Sequence, residues 1–244
     1  MPDSLRIALR LLTRLPVPAP RYRDAGTLSA SLVWYPLVGG LLGMLLWALA
    51  ALLSALQIPV LPAAALLLAG WVALTGALHL DGLADMADAW LGGMGNRQRT
   101  LDIMKDPCTG PAGVTVLVLV LLLKFAALSV FPAPGPALLL AVILGRTVLV
   151  GLFLSTPYVR PGGMGEILTT APRRKAGLAS LLMILPPLFF WPVHTAFAVL
   201  LATAVFLLHR HRLLQRLGGT TGDTAGALVE LTETVVLTGL VLLV

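Results

Sequence analysis

One cysteine in 244 residues, and charge at only 11% of positions, rule out several classes of protein at once. A lone Cys108 cannot close an intramolecular disulfide or complete a CxxC pair. It reads as an inert small residue, with a metal or nucleophilic thiol as the alternative. No Ser–His–Asp arrangement, dinucleotide-binding glycine fingerprint or nucleic-acid module stands out. Polar linkers, low-complexity tracts and solenoid periods are also missing, so residues 1–244 are expected to form a single domain. Soluble domains carry about 25% charged residues and about 45–50% apolar ones. Here 58% of residues are apolar and the mean hydropathy is +0.93. The composition is that of an all-α, polytopic membrane protein embedded in a lipid bilayer.

Acidic residues are scarcer than basic ones, eleven against seventeen, for a net charge of +6. In a soluble chain that excess would suggest nucleic acid; in a membrane protein the positive-inside rule accounts for it, and no nucleic-acid partner is expected. Arg6, Arg10 and Arg14 interrupt any signal-peptide core. With leucines and Ile7 between them, they make residues 1–22 an amphipathic N-terminal helix at the membrane surface, ended by Pro16, Pro18 and Pro20. Apolar spans come after it at about 29–56, 63–80, 112–130, 136–156, 177–191, 193–209 and 224–243, about seven in all. In the first of them Gly39, Gly40 and Gly43 suggest close helix contacts. Fifteen of the seventeen basic residues fall in the N-terminus and in segments 81–111, 157–176 and 210–222. That alternation predicts a cytoplasmic N-terminus, with the chemistry on the cytoplasmic face of a bacterial inner membrane.

Segment 81–111 is the acidic, cytosolic-side part of the chain. His79 to Ala89 reads HLDGLADMADA, with Asp81, Asp85 and Asp88 spaced by four and three. On a helix the three carboxylates share a face. Like charges about 5–6 Å apart repel by roughly 3 kcal/mol at an effective dielectric of ~20, so the stripe calls for a cation. Mg²⁺ bridging a phosphate is the leading candidate; a solvated helix face is the plain alternative. His79 could ligate metal or move protons, or simply be a hydrogen-bonded interfacial residue. Gly82 would let a phosphate or a backbone come close. In LDIMKDPCTGPAGV, Lys105 and Asp106 meet Gly110 just before a span, where they could orient an anion or form an ordinary interfacial turn. In GGTTGDTAGALVELTE, Asp223, Glu230 and Glu233 form a second acidic stripe. Glu230 sits roughly 10 Å into the last span at ~1.5 Å per residue. Such a glutamate is neutral, paired with Lys124 or Arg146, or turned to an aqueous, metal-bearing cavity; the third case is the expectation for Glu230, with Glu233 the lesser candidate. In YVRPGGMG, Arg160 could clamp a phosphate on a glycine-rich loop, while Arg173, Arg174 and Lys175 read as a topology signal or lipid contact. Two acidic helical faces and several glycine-rich loops on one membrane face suit metal-assisted phosphoryl transfer.

Taken in order, TRLPVP, HLDGLADMADAW, IMKDPCTGPAGV, PYVRPGGMG and GGTTGDTAGALVELTE resemble the cobalamin synthase family over nearly the whole chain. The resemblance implies a membrane transferase that joins adenosylcobinamide-GDP to α-ribazole or its 5′-phosphate, with release of GMP. It implies that Asp81, Asp85 and Asp88, with Glu230 or Asp223, hold Mg²⁺ on the diphosphate. Asp106 is then a candidate general base, and Lys105 and Arg160 would steady the departing GMP. A homo-oligomer remains open. The rival classes are a CDP-alcohol phosphotransferase-like or prenyltransferase-like enzyme, which shares an aspartate-rich membrane site, and a secondary transporter, which would need acids in paired repeats near the bilayer midplane.

Overall fold

The architecture is set by where apolar runs meet helix breakers. A computed structural model describes residues 1–131 and 133–243; Pro132, within the expected 131–135 connection, and Val244 lie outside the described residues. Among the described residues the chain forms α-helices and no strand. Helix α1 (Asp3–Leu12) is succeeded by the proline-rich segment and by α2 (Ala25–Ala30), where the Asp24 side chain accepts from the Thr27 amide at 2.9 Å as an N-cap. A tight 3₁₀ turn, Ser31–Trp34, leads into α3 (Tyr35–Ala55). Next come α4 (Val60–Thr75) and α5 (Leu78–Gly92), bent by 88° where Gly76 (φ 65°) and Ala77 (φ 58°) adopt left-handed backbone. For a non-glycine residue such as Ala77 that conformation costs about 1–2 kcal/mol, so packing on both sides has to hold the corner.

The remaining helices are α6 (Arg97–Ile103), α7 (Pro111–Val130), α8 (Gly135–Ser155), α9 (Met164–Leu168), α10 (Arg173–Phe190), α11 (Pro192–Leu217) and α12 (Gly222–Leu240). Five helical stretches are long and apolar enough to cross a membrane: Ala25–Ala55, α7, α8, α11 and Gly222–Leu243. The bent α4–α5 pair makes a sixth if it counts as one span. The count of five or six stands beside an expectation of about seven, and the difference lies at 177–191. There α10 opens on Arg173, Arg174 and Lys175, and its apolar part beyond them is shorter than the ~20 residues of a full crossing.

Helices α3 and α8 pack along one another, and α12 packs on both α5 and α8. A Cβ at Gly39 would stand 2.9 Å from the Val142 carbonyl oxygen, and one at Gly43 2.9 Å from Leu139 Cα. These two glycines let the α3 and α8 backbones touch, as small residues four apart do between membrane helices. Helix α1 is more than a surface float: Ile7, Ala8, Leu9 and Leu12 are buried against α2, the 3₁₀ turn and α3. The basic segments gather at one end of the bundle. Tyr158 pairs with Thr220 in an isolated bridge, Arg97 Nε donates to the Leu217 carbonyl at 2.7 Å, and Arg216 donates to the Trp90 carbonyl.

Deeper in the bundle, Lys124 Nζ of α7 donates to Glu230 Oε2 at 2.7 Å and to Glu233 Oε2 at 2.8 Å, both on α12. Arg146 of α8 pairs with Glu233 Oε1, and the Trp71 ring of α4 lies 4.3 Å from Lys124 Nζ. All four charged groups are buried, and two cations balance two carboxylates. The sequence expectation that Glu230 faces a metal-bearing cavity is therefore corrected; Lys124 takes its charge. The cluster ties four helices together at a depth where an unpaired charge is not tolerated. Replacing Lys124 by Met strands two carboxylates with one cation and should destabilise the protein by about 3–5 kcal/mol. The expected readout is a large drop in melting temperature in detergent, partly recovered in the double variant Lys124→Met/Glu230→Gln. An unchanged melting temperature in the single variant would show that the cluster does not hold the bundle.

Candidate active site

The bend after α4 turns α5 back along the bundle, and its first two turns run against the start of α12. Helix α12 begins with a reciprocal cap: Thr221 Oγ1 accepts from the Thr224 amide at 3.2 Å, and Thr224 Oγ1 accepts from the Thr221 amide at 2.9 Å. That cap fixes Asp223 in the first helical turn. Across from it Gly82 carries no side chain, and a Cβ there would lie 2.7 Å from the Asp223 carbonyl oxygen. The glycine serves backbone contact between helices, one of the two uses its position suggested. Asp81, next in sequence to Gly82, and Asp223 consequently line one cavity of ≈ 250 Å³, together with His79, Tyr35 and Tyr158. Leu11 and Leu12 of α1 close another side of it.

The three aspartates of α5 do share a helix, and the structure gives them different neighbours. Asp81 is exposed to the cavity. Asp85, half-buried one turn further on, feels the negative charges of Asp81, Asp223 and Asp88 and the positive charge of Arg160. Asp88 is engaged elsewhere: its carboxylate accepts from the Gly110 amide at 2.7 Å and from the Gly113 amide at 2.9 Å. It caps the N-terminus of α7, where a negative charge is favoured by the helix dipole. A Cβ at Gly110 would stand 2.6 Å from an Asp88 oxygen, so Gly110 serves this cap and not a cofactor. Asp88, expected as a metal ligand, and Gly110, expected as a binding residue, are thus joined in the α7 cap, and neither is part of the cavity lining.

Arg160, on the loop after α8, donates to Asp223 Oδ2 at 2.9 Å. It arrives there because Val159 N donates to the Thr220 carbonyl at 3.0 Å and Thr220 N to the Pro157 carbonyl at 2.8 Å. The glycines of this loop make room for Tyr158, whose ring would collide with a Cβ at Gly163 or Gly165. Burial pushes the Tyr158 phenol up from its ordinary range, which keeps it a neutral donor. His79 is buried, and its Nδ1 has no hydrogen-bond partner among the described residues; the hydrogen-bonded interfacial role is not seen for that nitrogen. Lys105 and Asp106 are exposed and stand outside the cavity wall. Lys105 lies 3.8 Å from Asp102, and Asp106 accepts from the Cys108 amide at 2.9 Å in a local turn. Neither is part of the cavity lining. Among the lining residues that spacing did not single out are Tyr35, Leu11 and Leu12, for which the sequence holds no signal beyond amphipathicity.

Among the described residues no three His, Cys, Asp or Glu side chains converge into a ready-made metal cage. Mg²⁺ rarely needs one, since it is commonly held by one or two carboxylates and completed by substrate phosphate and water. Asp81 and Asp223 on one cavity wall, with Asp85 a turn away, fit that kind of ion.

A family model described as cobalamin-5-phosphate synthase matches residues 4–241. Relatives named adenosylcobinamide-GDP ribazoletransferase include one from Pseudomonas putida strain GB-1, 55% identical over 239 residues and 97% of both chains. Another, from Stutzerimonas stutzeri strain A1501, is 55% identical over 240 residues, covering 98% of this chain and 97% of its own. A third, from Pseudomonas entomophila strain L48, is 53% identical over 241 residues and 98% of both. No solved structure matches. A membrane bundle with a paired-carboxylate cavity at its basic end, matched over nearly its full length, belongs to the cobalamin-5-phosphate synthase family.

Proposed function

We propose that this chain transfers the cobinamide phosphate of adenosylcobinamide-GDP to a ribose hydroxyl of α-ribazole or its 5′-phosphate. The relatives' name supplies the two substrates, and the observation that carries the reading to this site is the facing pair Asp81 and Asp223 on one cavity wall. The hydroxyl oxygen attacks the cobinamide-linked phosphorus, the bond from that phosphorus to the bridging oxygen breaks, and GMP leaves with the oxygen and its electron pair. Asp81 and Asp223 would hold Mg²⁺ at this wall, with Asp85 adding negative charge from the next turn. When bound, Mg²⁺ supplies charge neutralisation on the diphosphate and polarises its phosphoryl oxygens. Arg160, beside Asp223, offers its remaining guanidinium N–H groups to the phosphate of the departing GMP. His79, whose side chain is part of the cavity lining, accepts the hydroxyl proton; its position favours it over the exposed Asp106.

A cavity of ≈ 250 Å³ lies below the usual ~300–1,000 Å³ of small-molecule sites. It fits the reacting ribose and diphosphate and leaves the corrin ring outside the mouth. The concentration of basic residues at this end supports a cytoplasmic face in the inner membrane.

The test is GMP release by protein reconstituted in liposomes with both substrates and Mg²⁺. Asp81→Ala and Asp223→Ala should each lower kcat by about a hundredfold or more, on the scale of removing one transition-state charge contact. Wild-type turnover in both variants would overturn the site. Chelation of divalent cations should abolish turnover, and added Mg²⁺ should restore it; full activity in chelator would exclude a metal from the reaction. His79→Gln should lower kcat by about 10²–10⁴-fold with KM nearly unchanged. A loss seen only in KM would make His79 a binding residue.

A further inference from the structure

A second cavity, of ≈ 420 Å³, opens beside the first. Its wall is built from Ile7 and Leu11 of α1, Leu28 of α2 and Met164 at the start of α9, with Arg10 and Arg23. Leu11 and Met164 line both cavities, so the two share a wall. The surface is apolar except for two guanidinium groups, a combination that neither a purely lipid-facing cleft nor a diphosphate site requires. Arg10 Nη1 donates to the Val17 carbonyl at 3.0 Å, which fixes the side chain and leaves most of its five N–H donors for another acceptor. Arg23 is exposed and makes no ion pair among the described residues. Asp24 next to it caps α2 and so is not its counter-ion.

The proposed reaction needs such a neighbour. The acceptor carries an apolar benzimidazole base, a ribose, and in its phosphorylated form a second anionic group that takes no part in the transfer. The description of the matched family, cobalamin-5-phosphate synthase, places a phosphate in the product. Arg160 pairs with Asp223 at the diphosphate, where its remaining donors serve the departing GMP, and a dianion beside three carboxylates would be repelled. The hydroxyl and the 5′-phosphate sit on one ribose, so their subsites must adjoin, as these cavities do.

We propose that the second cavity is the acceptor subsite, with the base on its apolar wall and the 5′-phosphate on Arg10 and Arg23. The inference rests on the function proposed above. It makes the enzyme selective for the phosphorylated acceptor, since planar guanidinium groups recognise phosphate through paired charge-assisted hydrogen bonds. The N-terminal helix then contributes to substrate recognition, and membrane attachment is only part of its role. An anionic lipid headgroup offers the same phosphate chemistry, and the test separates the two.

Wild type, Arg10→Ala, Arg23→Ala and the double variant are reconstituted in phosphatidylcholine vesicles and in vesicles containing phosphatidylglycerol. For each, kcat/KM is measured with α-ribazole 5′-phosphate and with free α-ribazole at saturating adenosylcobinamide-GDP. Wild type should prefer the phosphorylated acceptor. The ratio of the two values should fall about ten- to hundredfold in the double variant, chiefly through KM of the phosphorylated acceptor, and in both vesicle types. Arg23→Lys should recover part of the ratio. Equal losses on both acceptors, an unchanged ratio, or an effect confined to vesicles with phosphatidylglycerol would each overturn the subsite. A wild-type protein that releases no GMP from either acceptor would instead overturn the proposed function itself.

Discussion

Everything at the basic end of the bundle depends on the contact between α5 and α12 at Gly82. Without a side chain there, the α5 backbone comes up to the Asp223 carbonyl, and two helices whose neighbouring residues are both aspartates are brought together. Two carboxylates on one cavity wall repel and so oppose the contact. Other interactions have to hold it. The Thr221–Thr224 cap fixes the start of α12, Arg160 takes part of the Asp223 charge, and the left-handed corner at Gly76 and Ala77 aims α5 along the bundle.

The same α12 is anchored two turns further in. Asp223 and Glu230 are seven residues apart and share a helical face. At one level that face serves the cavity, and at the other it meets Lys124. Arg146 and Glu233 extend the lock to α8. A buried ion network is weak evidence for stability by itself, since its desolvation cost is large. Its value here lies in register: a slip of α12 along α7 or α8 would separate charges in a place without water. The register that satisfies Lys124 and Arg146 is also the one that sets Asp223 beside Gly82.

Much of this is legible from residue spacing. The four-and-three pattern of Asp81, Asp85 and Asp88 specifies a helix with one acidic face, and α5 is that helix. Spacing cannot say that the face meets a different neighbour at each turn, so that Asp88 ends in the α7 cap while Asp81 reaches the cavity. Two lone cations and two lone glutamates inside apolar spans signal a pairing problem. Choosing the partner requires the helix packing, which is why the sequence points Glu230 to a metal and the structure gives it to Lys124. Lys105 and Asp106 resemble site residues because they sit on a glycine- and proline-rich turn, yet local turn bonding accounts for them. An amphipathic α1 reads the same whether its apolar face meets lipid or protein. Only tertiary contacts show that it walls the cavity. The corner between α4 and α5 has no proline to mark it, which hides the bend inside an apparently continuous span.

If catalysis requires the α5–α12 apposition, one substitution addresses that requirement alone. In Gly82→Ala the added methyl would overlap the Asp223 carbonyl and push the helices apart without touching a charge. With folding verified by an unchanged melting temperature, Mg²⁺-dependent GMP release should fall about a hundredfold, the scale expected of an ångström-level misplacement of reacting groups. Wild-type turnover by that variant would contradict the requirement, because Asp81 and Asp223 would then not need to face each other for the reaction to proceed.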